Sequence, residues 1–435
     1  MRIVKGGNVS RMLQDVTIPK MFHATQTFNE ERIDPSEIPG VVYGQLSKPE
    51  ISAKIQLGMS IAITAGSRGV ANVDIITKAI VDYCKEKGAH PFIVPAMGSH
   101  GGADAEGQKE LLAGYHITEE NMGCPVKSSM ETVMLGYSEY GKAVYQDKNA
   151  NEADGIIISC RVKPHNAFRG PYESGICKMM VVGLGKQKGA ESVHSDGLGN
   201  MARNLPANAK VVAEKSNILF AIPCVENAYD ETALIEAVPK DRIFEREPEL
   251  LKMAFANMPS ILVGEADVLV VNEMGKNYSG TGVDPNISGT WSTEFGKGGL
   301  KVKRTCFLDL TDCSHGNANG MGLADIITAR MYEKLDSEVI YPNCFTSTVL
   351  RSGMMPPVVA TDKEAIQACI RTANGVEDRE KCRMVRIKNT LHVGSIMLSE
   401  AYYEDVKNGR YPGVTAVSEP AALEFDEDEN LITPM

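Results

Sequence analysis

No stretch of this sequence approaches the roughly 18 uninterrupted apolar residues that a membrane span requires. The opening, Met1-Arg2-Ile3-Val4-Lys5-Gly6-Gly7, also lacks the apolar segment and cleavage site of a secretory signal. The expected compartment is therefore the cytoplasm, with no membrane partner. The ten cysteines include no C-x-x-C pair, so an all-cysteine zinc or iron–sulfur site is not expected. Most are expected to be buried thiols, with Cys177 the one whose reactivity matters. No strand-like run leads into G-x-G-x-x-G with an acidic residue about twenty positions on, so the usual nicotinamide fingerprint is missing. A basic footprint is missing too: 45 Lys and Arg face 56 Asp and Glu, a net charge of −11, which argues against nucleic acid. Part of that excess lies in Glu424-Phe425-Asp426-Glu427-Asp428-Glu429, read as a solvated end.

What is present is a soluble globular composition, 43% apolar and 23% charged, in a chain of 435 residues, long enough for two or three domains. Residues 59–64 form an apolar run that predicts a strand. After Gly66-Ser67-Arg68-Gly69, apolar side chains recur at Ile76, Ile80, Tyr83 and Cys84, which is helical spacing, closed by Lys85-Glu86-Lys87-Gly88. Pro91 to Pro95 predicts the next buried strand, running into Met97-Gly98-Ser99-His100-Gly101-Gly102, with a helix from about Glu106 to Ala113. A third buried strand, 153–159, ends just before Lys163-Pro164-His165. This β-α-β-α succession predicts a parallel sheet flanked by helices. Ligands of such sheets sit beyond the carboxyl ends of the strands, and Arg68, His100 and His165 all fall a few residues past one.

A second α/β portion starts near residue 255. Residues 266–271 predict a strand whose turn holds Lys276, and Leu323, Ile327, Met331 and Leu335 recur every four residues as on a helix. The predicted architecture is α/β: two α/β domains with mainly parallel sheets and an active site in the cleft between them. The predicted boundaries are 1–255 and 256–435, with the last thirty or so residues available to pack back on the first domain.

The chemistry concentrates in His100, His165, Lys178 and His194, on glycine- and proline-rich turns. Imidazole exchanges a proton near neutral pH and is the commonest protein metal ligand. Each ring also has a plainer reading: His100 in Gly-Ser-His-Gly-Gly as a backbone cap, His165 likewise, His194 as a surface residue ending a helix. Lys178 lies among Ile176, Met179, Met180, Val181 and Val182, where an unpaired ammonium is costly; it snorkels, pairs with an anion, or has lost its charge. Gly183-Leu184-Gly185-Lys186-Gln187-Lys188-Gly189 offers backbone N–H groups and two lysines to a phosphate, without Walker spacing.

Together these elements resemble the nickel-dependent lactate racemase family. The resemblance rests on Ser67-Arg68, Ala96-Met97-Gly98-Ser99-His100, Lys163-Pro164-His165, Ser174-Gly175-Ile176-Cys177-Lys178 and Val193-His194, in that order. It is closest from Arg68 to His194 and looser beyond. It implies a racemase or epimerase of 2-hydroxy acids that uses a nickel pincer nucleotide, a pyridinium mononucleotide holding nickel through two sulfurs and a ring carbon. By position, Lys178 would carry the cofactor through a thioamide, with Gly175, Lys186 and Lys188 around it, and His194 would ligate nickel in a planar site. His100 and His165 would be the acid/base pair and Arg68 the clamp on the substrate carboxylate.

The sequence departs from the family at substrate positions. Ala65 replaces an acidic residue three places before the arginine, and the segment from His165 to Lys178 is longer, with Arg169 reaching a second carboxylate or polyol, or pairing with Glu173. Lys276 stands in for a second-domain substrate lysine. A 2-hydroxy acid larger or more polar than lactate is therefore expected. Because other proteins make the cofactor and would meet this chain transiently, material produced without them would lack it. A homo-oligomer is left open. Two other readings use the same residues: a metal-free two-histidine isomerase or hydro-lyase, and a non-catalytic protein that binds a hydroxy acid or nucleotide. The role of His315, in an Asn/Gly-rich loop, is unassigned.

Overall fold

A computed structural model describes residues 2–67 and 69–435. The chain folds as two units, one of residues 29–258 and the other of residues 1–28 together with 259–435. Both are α/β, each with a mixed, mostly parallel sheet.

In the 29–258 unit the central strands run in the order His90–Pro95, Ser60–Ala65, Gly155–Arg161, Ile218–Glu226, all parallel. Their near-continuous apolar sequences suit strands covered on both faces. Ile61, Ile63, Ile93 and Ile157 are fully buried in one cluster with Ile80 and Phe220. Thr232–Ile235 adds an antiparallel edge. The helix predicted from residue 76 spans Val73–Glu86, and Gly88 turns the chain out of it at φ +76°. Asp104 caps the helix Ala105–Ala113 by accepting from the N–H groups of Glu106 and Gly107. A hairpin, Thr132–Tyr137 with Ala143–Asp147, stands apart from the sheet. Because the strands Ser60–Ala65, His90–Pro95 and Gly155–Arg161 are parallel neighbours, the loops that follow them leave from one edge.

The other unit carries five parallel strands in the order Val358–Val359, Ile326–Thr328, Lys301–Phe307, Glu265–Val271, Met384–Ile387. Three antiparallel strands continue it: Ser395–Ser399, Met21–Gln26 and Val414–Ala416. Residues 1–28, expected with the first domain, thus belong here. The pairing of Phe22 with Leu398 spans almost the whole chain and leaves no local signal.

Two further expectations are corrected in this unit. The four-residue apolar recurrence from Leu323 to Leu335 is not one helix. Ile326–Thr328 is a strand, and Thr328 caps a short helix, Ala329–Glu333, by accepting from Met331 N–H. The β-branched run Ile-Ile-Thr pairs on both sides and overrides the helical period. The charged side chains of the acidic end are mostly exposed, as expected, but its backbone is folded and groups with 259–435. Leu423, Phe425, Leu431 and Met435 pack on that core, Leu431 N–H donates to Asp362 Oδ2 (2.9 Å), and Arg386 Nη2 donates to Thr433 O (2.8 Å). Among the described residues no helix is long and apolar enough to cross a membrane.

Candidate active site

Arg68, the expected carboxylate clamp, lies outside the described residues. His100 is exposed and leads into the short turn Gly101–Ala103. Its loop is seated on the segment after Lys178: Gly98 N–H donates to Gly183 O (3.3 Å), and a Cβ on Gly98 would lie 3.2 Å from Val182 O and 3.8 Å from Ala190 Cβ.

His165 follows the strand Gly155–Arg161. Its backbone N–H donates to Glu173 Oε2 (2.7 Å), and its ring lies against Phe168, centroids 4.5 Å apart. Ala167 N–H donates to His165 Nδ1 (3.1 Å), so the neutral ring carries its proton on Nε2. Burial, and then the positive charges of Lys178, His194, Arg169 and Lys163, hold its pKa well below the usual 6.5. The ring is therefore neutral at physiological pH.

Arg169, expected to reach substrate, is instead committed to this loop. It donates to His165 O (2.8 Å), Phe168 O (3.2 Å) and Glu173 Oε2 (3.2 Å), and lies over the Phe255 ring at 5.1 Å. Glu173, only 1% exposed, also accepts from Gly170 N–H. The plainer pairing of Arg169 with Glu173 is the one the fold adopts, and it braces the His165 turn.

Lys178 closes the short helix Ile176–Lys178, which runs into a π-turn, Met179–Gly183. Its Nζ is 3.4 Å from Ser174 Oγ. Under it lies Glu247, 1% exposed, whose Oε2 accepts from Cys177 N–H (2.8 Å). A Cβ at position 175 would collide with Glu247 Oε1 and Val162, so close packing alone requires Gly175. Cys177 is an inert thiol: burial, then Glu247, pushes its pKa well above 9.0. Sequence reasoning missed Glu247. The signal was there, because it is a charged residue on the buried stripe Ile243, Leu250, Leu251, Ala254 of the helix Ile243–Asn257.

Burial pushes the Glu247 carboxyl up from 4.5 to about 7. A raised carboxyl pKa favours the folded state below pH 4.5, and that advantage is lost as pH rises to about 7. The Glu247→Gln variant should lose this slope, flattening its Tm–pH profile over that interval relative to wild type. Above it, the neutral amide avoids a penalty of about 3 kcal/mol. Parallel profiles for the two proteins would show that Glu247 does not titrate in this way.

Lys186, expected beside a phosphate, is instead engaged in the core. It is fully buried at φ +54°; its ammonium donates to Pro95 O (2.5 Å) and Gln108 Oε1 (3.2 Å) and is ion-paired with Asp147 Oδ2 (3.1 Å). Lys188 is exposed in the first turn of the helix Lys186–His194. The nearby glycines serve close packing: a Cβ at Gly183 would lie 2.8 Å from Ala96 O, and one at Gly189 2.8 Å from Val181 O. Asp147 and Gln108 were not singled out from sequence, since nothing local marks their burial.

His194 ends that helix. Its Nδ1 lies 2.6 Å from Ala190 O, and a carbonyl only accepts, so Nδ1 carries the proton and Nε2 the lone pair. Burial lowers its pKa; the Ala190 contact opposes this, and Lys178 adds to the lowering. His165, Lys178 and His194 thus form one electrostatic cluster, with the His100 loop on the same backbone.

Lys276 and His315 belong to the other unit. Lys276 Nζ donates to Gly280 O (2.6 Å) within its own turn, and His315 is an exposed residue at φ +48°.

Residues 34–204 match the family model described as the lactate racemase N-terminal domain. This segment is similar to the lactate racemase N-terminal domain. It holds the loops of His100 and His165 and the helices of Lys178 and His194. Curated proteins provide no match to the chain. Among solved structures, the lactate racemase apoprotein from Thermoanaerobacterium thermosaccharolyticum aligns at 12% identity and a TM-score of 0.53, over 85% of this chain and 99% of that one. At that identity the likeness establishes a shared fold, which extends beyond residues 34–204.

Proposed function

We propose that this protein is a racemase or epimerase of a 2-hydroxy acid that works with a nickel pincer nucleotide carried on Lys178. The observation behind this reading is the cluster of Lys178 with two neutral imidazoles whose protons sit on opposite kinds of ring nitrogen. The residues fit such a group. Lys178 offers an amine at the end of the short helix Ile176–Lys178, whose Ile176 and Cys177 are buried. His194, held through Nδ1–H by Ala190 O, presents the Nε2 lone pair that a metal needs. When bound, the cofactor would supply an electrophile for the Cα hydride, avoiding the carbanion that an adjacent carboxylate disfavours.

The chain's own groups handle the proton. Oxidising a 2-hydroxy acid to a planar 2-keto acid requires the hydroxyl proton to leave, and returning hydride to the other face inverts the centre. The hydroxyl points differently in the two enantiomers, so two proton carriers are needed. His165 is the proposed carrier for one enantiomer: with its own proton shifted to Nδ1 at the cost of the Ala167 N–H contact, its Nε2 takes the hydroxyl proton, the ring becomes imidazolium, and the same proton returns to the keto oxygen as hydride comes back. His100, on the neighbouring exposed loop, takes the complementary role, and Arg68 is the candidate for the carboxylate. With Arg169 committed to Glu173 and Lys186 to Asp147, specificity for a larger acid must come from other groups.

Protein produced together with the cofactor-synthesis enzymes should carry a covalent adduct on the peptide containing Lys178, with nickel bound in proportion. An unmodified lysine without nickel under those conditions would rule out the cofactor assignment.

A further inference from the structure

A buried network ties the His100 loop to the helix that ends in His194. We propose that Gln108 is the positioning residue in it, holding His100 in register with the Lys178–His194 cluster. Gln108 is fully buried on the helix Ala105–Ala113. Its Nε2 donates to Gly98 O (3.0 Å) and to His100 O (3.1 Å), one on each side of Ser99. Its Oε1 accepts from Lys186 Nζ (3.2 Å), which also reaches Pro95 O and Asp147. Carbonyls only accept and an ammonium only donates, so the orientation of the amide is fully specified. Pro95 ends the strand before the His100 loop, and Lys186 begins the helix that His194 ends.

The backbone is shaped for this contact. Gly98 adopts φ +60° and Gly101 φ +64°, and a Cβ on Gly101 would lie 2.8 Å from Gln108 N. The loop is therefore pressed on the helix start, with the amide of Gln108 setting its two carbonyls. His100 itself is exposed. The buried Asp147–Lys186 pair acts through Gln108, which explains a lysine kept in the core where desolvation opposes its charge.

This inference rests on the catalytic reading of His100, and two measurements separate them. Gln108→Glu keeps the shape and the acceptor for Lys186 but turns the two donors into acceptors facing carbonyls. Gln108→Met keeps the shape and removes both interactions. In each variant, hydrogen exchange of the amides of residues 98–103 should speed up at least about tenfold. The helix Lys186–His194 should stay protected and the cofactor load on Lys178 unchanged. In loaded enzyme kcat should fall by about 10²-fold, the scale of a 1 Å misplacement, with little change in KM. Wild-type exchange in the loop of both variants, or unchanged kcat, would overturn the proposal. So would loss of the fold in both variants, which would make Gln108 a determinant of global stability. If loaded wild-type protein inverts no hydroxy acid, the functional reading fails, and the exchange measurement still decides whether Gln108 holds the loop.

Discussion

Lys178→Arg protein, produced alongside the cofactor-synthesis enzymes, is expected to show its unmodified mass and no turnover of any hydroxy acid. The substitution keeps a cation of similar length near Ser174 Oγ, so the helix Ile176–Lys178 and its cap at Glu247 should persist. A guanidinium, however, lacks the primary amine needed for a thioamide. Since the cofactor carries the difficult chemistry, its loss removes most of the rate acceleration, at least about 10⁶-fold. The circular dichroism and Tm of the variant should match those of wild-type apoprotein. Retained turnover would show that Lys178 does not carry the reactive group.

The second large effect is expected at His165. His165→Ala should keep the Lys178 adduct and lower kcat by about 10²–10⁴-fold, the usual contribution of a proton-transfer group. The loss should also be one-sided. In single-turnover experiments with each enantiomer alone, formation of 2-keto acid should be impaired far more for one hand than for the other. His100→Ala should show the opposite preference. Equal loss for both hands in both variants would contradict proton carriers that serve different enantiomers. A neighbouring control is available: Arg169→Ala leaves the ring in place but frees its turn, because Arg169 spans His165 O and Glu173.

How far the sequence revealed this site depends on the kind of residue. The strands Ser60–Ala65, His90–Pro95 and Gly155–Arg161 were legible within a residue or two, since strands covered on both faces are written as unbroken apolar runs. With those strands placed, the loop positions of His100 and His165 followed. Lys178 and His194 were singled out through the family pattern alone. Charged residues were harder, because a partner fixes what a charge does and sequence distance hides the partner. Lys186 resembled a phosphate ligand until Asp147 was found beside it, and Arg169 a substrate ligand until its bonds to Glu173 and His165 O were seen. Gln108 was invisible for the same reason: its significance lies in two carbonyls and an ammonium that no periodicity marks. The apolar recurrence from Leu323 to Leu335 misled because period four was shared by a strand, a cap and a short helix.

The central claim is that Lys178, His165, His100 and His194 serve inversion at a hydroxyl-bearing carbon without making a carbanion. It is tested most directly with cofactor-loaded wild-type protein and single enantiomers of a panel of 2-hydroxy acids, larger and more polar than lactate, deuterated at Cα and incubated in H2O. The account predicts that at least one member is inverted and that the product keeps its Cα deuterium through the turnover. Inversion with replacement of deuterium by solvent hydrogen, or no inversion across the panel by protein with a verified adduct on Lys178, would contradict it.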